Sequence, residues 1–391
     1  MTEAFLYEAL RTPRGKGKPS GALHGVKPIS LITGLIDELR SRHPNLDPAR
    51  IDDIVLGVVS PVGDQGADIP RAAALAAGLP DTVAGLQINR FCASGLEAVN
   101  LGAMKVRSGW EDLVLTGGVE SMSRVPMGAS FAGGQFGAPY GPLVAERYDG
   151  FAFNQGVGAE MIAAEFGLTR AELDQHALDS HARAARAIDE GRFKGQTTPV
   201  TVTDAEGTTR VFDTDEGVRR GGTLEALGAL KTPFKADGVV SAGNASQISD
   251  GSAALLITTS EIAAANGWTP IARFHTGVVT GADPITMLKG PIPATKKVLA
   301  RAGLTLADIG AFEINEAFAS VTLGWQRATG ADYALLNPNG GAMALGHPLG
   351  GSGARLMTTL VHHMRDQGIR YGLQAMCEGG GTANATVLEL L

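Results

Sequence analysis

Short hydrophobic runs alternate along most of the chain with longer amphipathic segments, a pattern typical of β–α–β units and a largely parallel sheet. In the first third, Ile54–Val59 and Leu86–Asn89 are predicted strands, and Gly95–Arg107 is a predicted helix. Asp112–Thr116 is predicted to be the next strand, ending at Gly117-Gly118. The pattern therefore predicts an α/β fold.

The same order of elements recurs near the C-terminus. Residues 49–57 resemble residues 307–315 in sequence. After a similar interval, Cys92 in the first region and His347 in the second each precede a predicted helix, and each helix leads to a strand that ends in glycines. The interval is far too long for a solenoid repeat. Two fused copies of one α/β domain are therefore predicted.

Between the two copies the character of the chain changes. Met122–Tyr148 is rich in Gly, Ala, Pro, Ser and Met and is predicted to be a long ordered loop. Thr169-Arg-Ala-Glu172 has the sequence of a capping box and is predicted to begin an amphipathic helix. His176 and His181 fall on that helix and are expected to face solvent. We predict an N-terminal domain (residues 1–119 with 248–268), an inserted loop domain (120–247) and a C-terminal domain (269–391).

Composition and charge narrow the class of protein. Glycine accounts for 53 of 391 residues, or 13.6%, against about 7% in average proteins, which predicts many turns and close backbone approaches. The net charge of 33 − 40 = −7 argues against a general nucleic-acid binder. The apolar runs are far shorter than the roughly 18 residues that cross a bilayer. The N-terminus lacks the pattern of a signal peptide, so a cytoplasmic protein is expected.

The two cysteines, Cys92 and Cys377, are too few and too far apart for a disulfide framework or a zinc site. Cys92 stands where a strand passes into a helix, so helix N–H groups would face the thiol and favour the thiolate. The alternative is a small buried hydrophobic residue. Cys377 precedes a three-glycine turn that includes Gly379, where free backbone N–H groups would bind an oxyanion.

A candidate base lies in the most glycine-rich part of the chain. His347 is held between glycines and a proline just before a helix, which favours a role in catalysis. The alternative is that this loop is only a tight strand–helix turn. Asn315 ends a predicted strand and would orient a water or an amide. Glu316 beside it either takes part in the reaction or is a structural carboxylate bonded to backbone.

Two basic clusters are candidates for binding an anionic small molecule. One covers residues 11–18, and the other is Arg219-Arg220 with Lys231 and Lys235. Local clusters of this kind attract anions even in an acidic chain. The alternative for both clusters is solvated loop charge.

The candidate residues lie in motifs that occur together, in one order, along the whole chain. These motifs are Arg11-Thr-Pro-Arg-Gly, Cys92-Ala-Ser-Gly, Gly117-Gly-Val-Glu-Ser-Met-Ser123, Ala242-Gly-Asn-Ala-Ser246, Asn315-Glu-Ala-Phe-Ala319, Asn339-Gly-Gly-Ala-Met-Ala-Leu-Gly-His-Pro-Leu-Gly350 and Cys377-Glu-Gly-Gly-Gly381. With them the chain resembles the thiolases from end to end. The resemblance implies the thiolase fold, in which two duplicated βαβαβαββ domains form a five-layer α-β-α-β-α core with an inserted loop domain.

The resemblance also implies roles for the candidate residues. Cys92 would be the nucleophile that takes the acyl group, and His347 the base that activates it. Cys377 would move a proton at the substrate, Asn315 would hold a catalytic water, and the N–H groups of Cys92 and Gly379 would stabilise the oxyanion. Coenzyme A would be a co-substrate, with no other cofactor and no metal. The residues implied for coenzyme A are Arg219 (with Arg220 as the alternative), Ser246, Phe318, Ala242 and Leu230.

Two departures from the family pattern bear on the kind of thiolase. Glu378 follows Cys377 where many relatives carry a small or apolar residue. Phe153-Asn-Gln-Gly156 replaces a His-Met-Gly found in acetoacetyl-specific relatives. The second departure and the sequence around Cys92 favour a degradative 3-ketoacyl-CoA thiolase of fatty-acid β-oxidation.

The alternatives are an acetoacetyl-CoA thiolase, a condensing enzyme of the ketoacyl-synthase type, and a non-catalytic acyl-CoA or sterol carrier. The presence of Cys92, His347 and Cys377 together argues against the last two. The expected partners are coenzyme A, a 3-ketoacyl-CoA and further copies of the chain in a homodimer or homotetramer. A β-oxidation complex is a further expected setting, whereas nucleic acid and a membrane span are not expected.

Overall fold

The computed structural model describes residues 3–204 and 206–391. The strands are β1 (Phe5–Arg11), β2 (Gly15–Lys16), β3 (Asp53–Gly57), β4 (Ala84–Ile88), β5 (Leu113–Ser121), β6 (Val200–Thr203), β7 (Thr209–Phe212), β8 (Ser249–Thr258), β9 (Ala272–Gly281), β10 (Ala311–Ile314), β11 (Tyr371–Glu378) and β12 (Thr382–Leu390). The helices are α1 (Pro28–Arg42), α2 (Ile69–Ala76), α3 (Ser94–Ser108), α4 (Pro142–Arg147), α5 (Gln155–Glu165), α6 (Arg170–Asp189), α7 (Leu224–Gly228), α8 (Ser260–Asn266), α9 (Pro291–Ala302), α10 (Ala319–Thr329), α11 (Ala342–Leu345) and α12 (Leu349–Gln367). None of the helices in these ranges is both long enough and apolar enough to cross a membrane.

The topology of the main sheet shows the predicted duplication. Its strands follow the order β10-β11-β12-β9-β1-β8-β5-β3-β4, with β2 added on β8. The two halves meet where β1 pairs with β9 through two residue pairs, Phe5 with Arg273 and Leu6 with Ala272. Outward from this seam the order is β1-β8-β5-β3 on one side and β9-β12-β11-β10 on the other. In both halves the inner pairs are antiparallel and the outer pair is parallel. Antiparallel pairs outnumber parallel ones in the described part of this sheet, so the prediction of a largely parallel sheet is wrong.

The helices complete the five-layer core. α3 and α12 pack on each other between the two halves of the sheet, where Leu96, Val99 and Leu360 are fully buried. α1 and α2 cover the outer face of the first half. α9 covers the second half, and Trp325 of α10 packs on Phe312 there. The predicted α-β-α-β-α order is therefore confirmed, whereas the exact limits of the three predicted domains stay a prediction.

The structure corrects two predicted boundaries. Gly117 and Gly118 do not end a strand but lie inside β5, which continues to Ser121. They are glycines because a Cβ at either position would collide with backbone, namely with Ala253 O or with Gly350 O. The segment 122–148 is not all loop, since it contains α4 and a short 3₁₀ turn.

Two expectations about solvation are wrong. His176 and His181 of the capped helix α6 are buried rather than solvated, since α6 packs against the core near Tyr333 and Arg219. Burial lowers the pKa of both imidazoles, and it brings that of His181 to about 4 with help from the charge of Arg219. The capping box itself is present, with Thr169 and Glu172 bonded reciprocally.

The first basic cluster is likewise buried in part. The guanidinium groups of Arg11 and Arg14 are almost fully buried, and both pair with the buried carboxylate of Asp215, at 2.9 Å and 3.0 Å. Asp215 belongs to the inserted segment, so this ion triad joins that segment to the sheet. Solvated loop charge therefore does not describe these two arginines.

Candidate active site

Cys92 lies between β4 and α3, two residues before Ser94, where the helix begins. Phe91 before it has a φ of 45°, in the left-handed region that a bulky residue rarely adopts. Strained backbone of this kind clusters at functional sites. The Cys92 side chain is buried against Met122 and Leu349, which come from opposite halves of the molecule.

The protonation state of Cys92 is set mainly by burial. Burial raises the pKa of its thiol, and the nearby Cys377 and Glu378 raise it further. The backbone N–H groups of Cys92 and Gly379 lower that pKa by a smaller amount. The expectation that helix N–H groups facing the thiol would favour the thiolate is therefore wrong, because desolvation outweighs the N–H groups at the sulfur. A neutral thiol needs a base, while the two N–H groups at the sulfur are placed to bind an oxyanion.

His347 has the burial and the hydrogen bonding that suit such a base. Its imidazole is 4% exposed, and Nδ1 lies 2.6 Å from the hydroxyl oxygen of Ser352. The Ser352 hydroxyl can donate to Pro348 O, at 2.9 Å. When it does, it accepts from Nδ1–H, and the lone pair of the ring is on Nε2. Nε2 is buried and has no partner among the described residues. Burial and the charge of Arg355 lower the pKa of His347 to about 3, so the ring is neutral.

The second thiol lies opposite, in β11. Cys377 belongs to a buried hydrophobic cluster with Met287 and Leu288, and Phe153 packs against this cluster. The Cys377 Sγ lies 3.5 Å from Nδ2 of Asn315, the residue after β10. Burial raises the pKa of Cys377 to about 12. The Oδ1 atom of Asn315 is buried and lacks a partner in the part of the chain that the structure describes. This pair offers an acid and an amide oxygen free to bind a water or a substrate.

The turn after β11 brings backbone close to Cys92. Gly380 and Gly381 have φ values of 75° and 76°, which favour glycine. A Cβ on Gly379 would lie 3.2 Å from the ring of Phe91, so little room remains for a side chain there. The predicted residues Cys92, Cys377 and Gly379 therefore meet in one place.

Glu378 introduces a carboxyl group beside this site. Its side chain is fully buried; Oε2 accepts a hydrogen bond from Thr382, and Oε1 has no partner within the described ranges. Burial raises the pKa of Glu378 to about 7, the neighbouring Glu97 adds to the rise, and Thr382 and Arg90 oppose it. This group titrates near neutral pH, and its charge opposes ionisation of Cys92.

Glu316 is a structural carboxylate. One oxygen accepts from the Ser180 hydroxyl at 2.7 Å and from Met343 N at 3.1 Å, and the other accepts from Asn337 Nδ2 at 2.9 Å. These bonds join the Asn315 loop to α6 and to the loop before His347. A role for Glu316 in the reaction itself, the first of the two possibilities, is therefore not supported.

Ser246 and Phe318, from the set predicted to bind coenzyme A, lie together beside the catalytic loops. Ser246 N donates to Ala317 O at 2.9 Å, and His347 N donates to Gln247 O at 2.9 Å. The segment that carries Ser246 therefore runs directly to the base. Phe318 is half-buried, and its ring packs edge-on against that of Phe234 at 6.1 Å.

Ala242 and Leu230 lie further out on the same surface. Ala242 is exposed, and the Leu230 side chain is 39% exposed. A Cβ on Gly243 would lie 2.8 Å from the Leu230 side chain, so the two segments touch. Both residues are thus accessible to a ligand that enters along Ser246.

The structure distinguishes the two adjacent arginines. Arg220 forms a bidentate ion pair with Asp189, at 2.8 Å and 2.7 Å. Arg219 is exposed, its backbone N–H donates to Nδ1 of His181 at 3.0 Å, and its guanidinium makes no hydrogen bond or ion pair within the described residues. Both line a cavity of about 410 Å³ beside α6. Arg219 is therefore the arginine with a charge to offer a ligand.

Four aromatic side chains lie next to the hydrophobic cluster that contains Cys377. The Phe153 ring contacts those of Tyr140, Tyr148 and Phe151, with centroids 5.3, 5.2 and 6.1 Å away. Tyr140 also approaches the glycine turn, since a Cβ on Gly380 would lie 3.5 Å from its hydroxyl. This group of four, the aromatic cluster, makes the surroundings of the site apolar.

Sequence reasoning missed three residues that shape the site: Ser352, Glu120 and Phe91. Ser352 and Glu120 lie in or next to motifs that the resemblance rests on, which was the available signal. A hydroxyl or a carboxylate in a motif does not reveal its partner, however, and the φ of Phe91 is a property of the folded backbone. These roles emerge only when distant segments are brought together.

Known proteins of similar sequence and structure identify the family. The thiolase N-terminal domain matches residues 4–261, and the thiolase C-terminal domain matches residues 268–390. A steroid 3-ketoacyl-CoA thiolase from Mycobacterium tuberculosis is 42% identical over 100% of this chain and 95% of its own. A 3-ketoacyl-CoA thiolase from Bacillus subtilis is 40% identical over 100% of both chains.

Solved structures extend the likeness to the fold. An acetyl-CoA acetyltransferase from Bacillus anthracis has a TM-score of 0.91 at 36% identity, and human mitochondrial 3-ketoacyl-CoA thiolase has a TM-score of 0.89 at 33% identity. Each comparison covers 100% of this chain and 99% of the other. The chain therefore belongs to the thiolases, a family of acyltransferases.

Proposed function

We propose that this thiolase cleaves a 3-ketoacyl-CoA with coenzyme A to give acetyl-CoA and a shortened acyl-CoA, as in the β-oxidation of fatty acids. The observation that carries the proposal is that the neutral thiol of Cys92, with two N–H groups at its sulfur, lies near the Cys377–Asn315 pair in one buried site. The loop of His347, whose Nε2 has no partner among the described residues, packs on Cys92 through Leu349. Coenzyme A is the co-substrate, and the route needs no other cofactor.

In the first half-reaction, His347 Nε2 takes the proton of Cys92 as the sulfur attacks the keto carbon of the substrate. The N–H groups of Cys92 and Gly379 hold the resulting oxyanion, each contributing a factor on the order of 10²–10³ in rate. The bond between the keto carbon and the α-carbon then breaks. Its electron pair leaves as the enolate of acetyl-CoA, which takes a proton from Cys377 at the α-carbon.

In the second half-reaction, the acyl group leaves Cys92. The Cys377 thiolate takes the proton of the coenzyme A thiol, and the new thiolate attacks the acyl-enzyme carbonyl. The Cys92 sulfur leaves and regains its proton from His347, so both cysteines return to the thiol form. The reaction is reversible and proceeds through a covalent intermediate, which predicts ping-pong kinetics.

The aromatic cluster supports a substrate with a longer apolar acyl chain over acetoacetyl-CoA. Phe153 packs against the hydrophobic cluster that contains Cys377, and it stands in the segment where acetoacetyl-specific relatives carry His-Met-Gly. Burying each additional CH₂ of an acyl chain against such rings is worth about 0.8 kcal/mol. The acetoacetyl-CoA thiolase remains the alternative in this proposal.

The test is a thiolysis assay on a series of 3-ketoacyl-CoA substrates, from acetoacetyl-CoA upward, with free coenzyme A. The expected result is cleavage with kcat/KM that rises beyond the shortest substrate. Absence of cleavage by folded protein at every chain length would contradict the thiolase proposal, and a maximum at acetoacetyl-CoA would favour the alternative. Cys92→Ala is expected to bind coenzyme A but to form no acyl-enzyme in mass spectrometry.

We further propose a cytoplasmic homo-oligomer. Two cysteines that act as free thiols need a reducing compartment. Strand β4 lies at the edge of the sheet with its residues exposed or half-buried, and such an edge is suited to pairing with a second copy. Light scattering after size-exclusion chromatography would decide between monomer, dimer and tetramer. Co-purification with a β-oxidation partner tests membership of a larger complex.

A further inference from the structure

The two helices that follow Cys92 and His347, α3 and α12, begin against each other through glycines. A Cβ on Gly95, in the first turn of α3, would lie 2.7 Å from Gly350 O in the first turn of α12. A Cβ on Gly350 would lie 2.5 Å from Gly57 O and 2.6 Å from Val119 O. Four backbone segments therefore meet with no room for side chains between them. The relative position of Cys92 and His347 is set at this glycine junction.

One side chain from outside these helices reaches the junction. Glu120 of β5 is 1% exposed, and its Oε2 accepts from Gly350 N and Val59 N, each at 2.9 Å. Its Oε1 accepts from Ser60 N at 3.1 Å and from Gln65 Nε2 at 2.7 Å. With four donors, the carboxylate is fully satisfied. It ties the start of α12 to the ends of β3 and β5.

The start of α12 needs this partner. Its N-cap is Pro348, which provides no side-chain cap. Gly351 N donates to Pro348 O at 3.0 Å, but the N–H group of Gly350 before it has no acceptor within the helix. A carboxylate at this end also interacts favourably with the helix dipole. The imidazole of His347 depends on the same turn, because its Nδ1 partner, Ser352, is a residue of α12. A shift of the turn would move both the ring and the hydroxyl that fixes its tautomer.

The duplication offers an internal comparison. Leu56 pairs with Gly117 in the first half, and Ile314 with Ala375 in the second. Three positions further along these strands lie Glu120 and Glu378, so the two acids are equivalent. Glu378 bonds to Thr382 and leaves one oxygen without a partner within residues 3–204 and 206–391. The repeated fold therefore does not itself require a carboxylate that holds a helix start.

We propose that Glu120 is a positioning residue for catalysis, which holds the first turn of α12 so that His347 Nε2 faces the thiol of Cys92. It touches neither substrate nor reacting atoms and acts through Gly350. This inference rests on the proposed role of His347 as the base. It extends that role by naming the group that sets the geometry of the base.

The test is the rate at which iodoacetamide alkylates Cys92 in the full-length protein, which reports removal of its proton without coenzyme A. His347→Ala is expected to slow alkylation at least tenfold. Glu120→Gln is also expected to slow it at least tenfold, because an amide NH₂ would face backbone N–H groups. In the His347→Ala background, Glu120→Gln is expected to have no further effect, since it acts through the imidazole.

A matched control is Glu160→Gln. Glu160 is also a buried carboxylate, accepting from Val239 N at 3.0 Å and Val240 N at 2.8 Å, but none of its hydrogen-bond partners belongs to α12. Glu160→Gln is expected to leave the alkylation rate within twofold of the parent.

In steady-state thiolysis, Glu120→Gln is expected to lower kcat at least tenfold and to change KM for coenzyme A less than threefold.

Three outcomes would overturn the proposal. The first is an unchanged alkylation rate in Glu120→Gln. The second is that Glu120→Gln slows alkylation equally in the parent and in the His347→Ala background. The third is that Glu160→Gln slows alkylation as much as Glu120→Gln does. If Glu120→Gln does not fold, Gln65→Met removes one of the four donors and is expected to slow alkylation about threefold, and an unchanged rate would contradict the proposal. If His347→Ala alone leaves alkylation unchanged, the proposed role of His347 fails instead.

Discussion

Burial determines the charge of the proposed catalytic groups one residue at a time. It raises the pKa of Cys92 and lowers that of His347 to about 3, so the proposed pair rests as a neutral thiol and a neutral imidazole. Proton transfer between them creates two charges in an apolar site, which is costly unless an oxyanion and its donors share the charge. The arrangement therefore favours ionisation in the transition state over ionisation in the resting enzyme.

The hydroxyl of Ser352 is predicted to support this proton transfer. In Ser352→Ala the Nδ1–H of His347 loses its acceptor, and the tautomer with a free Nε2 is no longer favoured. We expect kcat for thiolysis to fall about 10- to 100-fold, with little change in KM for coenzyme A. This is at or below the lower limit of the contribution of a general base, because the imidazole itself remains. Thr358→Val, which removes another α12 hydroxyl bonded to backbone, is expected to retain activity. Equal kcat values for Ser352→Ala and the parent would contradict this role.

Glu378 is predicted to make stability depend on pH. Because its native pKa of about 7 lies above the ordinary value of 4.5, the native state binds the proton more tightly than the unfolded chain. Its contribution is complete below about pH 4.5 and is lost as the pH rises through about 7. Glu378→Gln, which resembles the protonated form, is therefore expected to gain stability over the parent between pH 5.5 and 8. The gain in unfolding free energy is on the order of 2 kcal/mol.

Chemical denaturation at the two pH values measures this difference. Asp81→Asn, at an exposed position, serves as the control and is expected to shift the unfolding free energy equally at both. A difference between Glu378→Gln and the parent that does not change with pH would show that the carboxyl of Glu378 does not titrate in this interval.

At the scale of elements, sequence patterns predicted which segments form strands and helices better than where they end. The pattern of apolar positions placed α3, β5 and α6 close to their observed positions. It ended β5 at Gly117-Gly118, because glycine usually marks a turn, whereas these glycines admit backbone from β8 and α12. The prediction that the histidines of α6 face solvent was also wrong, since a helix with a polar sequence gives no sign that other segments cover its histidines.

The glycines of β5 provide a prediction at this scale. A Cβ on Gly118 would collide with Gly350 O and lie 2.9 Å from Gly57 O, and backbone cannot move aside as a side chain can. Gly118→Ala is expected to lower the free energy of unfolding by about 1–3 kcal/mol or more and to lower activity by displacing α12. Gly34→Ala in α1, where a Cβ meets nothing within 4 Å, is expected to raise the free energy of unfolding by about 0.5–1 kcal/mol.

Thermal and chemical unfolding of the two glycine variants would measure both effects. Equal stability of Gly118→Ala and the parent would mean that the glycine junction tolerates expansion. The tight packing inferred for the starts of α3 and α12 would then be wrong.

At the scale of the whole molecule, one buried ion triad connects the inserted segment to the sheet. Burial would raise the pKa of Asp215, but the guanidinium groups of Arg11 and Arg14 outweigh it and hold that pKa below its usual range. Its stabilising effect is therefore present above about pH 4 and is lost as the pH falls through the native pKa. Arg14 also packs near Gly251 and Pro348, so the triad lies next to the loop of His347.

Asp215→Asn is predicted to be strongly destabilising. The substitution leaves two guanidinium groups buried without a counter-charge, a change that costs about 3–5 kcal/mol. We expect a lower unfolding free energy at pH 7 and faster limited proteolysis within residues 206–222. Asp213→Asn, two residues away and exposed, is expected to behave like the parent. Equal protease resistance of the two variants would contradict the proposed connection.

The sequence by itself determined the α/β class, the duplication and the family, and it singled out Cys92, Cys377 and Gly379, which meet in the structure. These follow from local periodicity and from motifs, which are properties of short segments. Only the tertiary structure decided that Cys92 rests as a thiol, that His347 presents Nε2, that Arg11 and Arg14 are buried, and that Glu120 holds the start of α12. Burial, hydrogen-bond partners and close backbone contacts arise between segments far apart in the chain, and no local pattern encodes them.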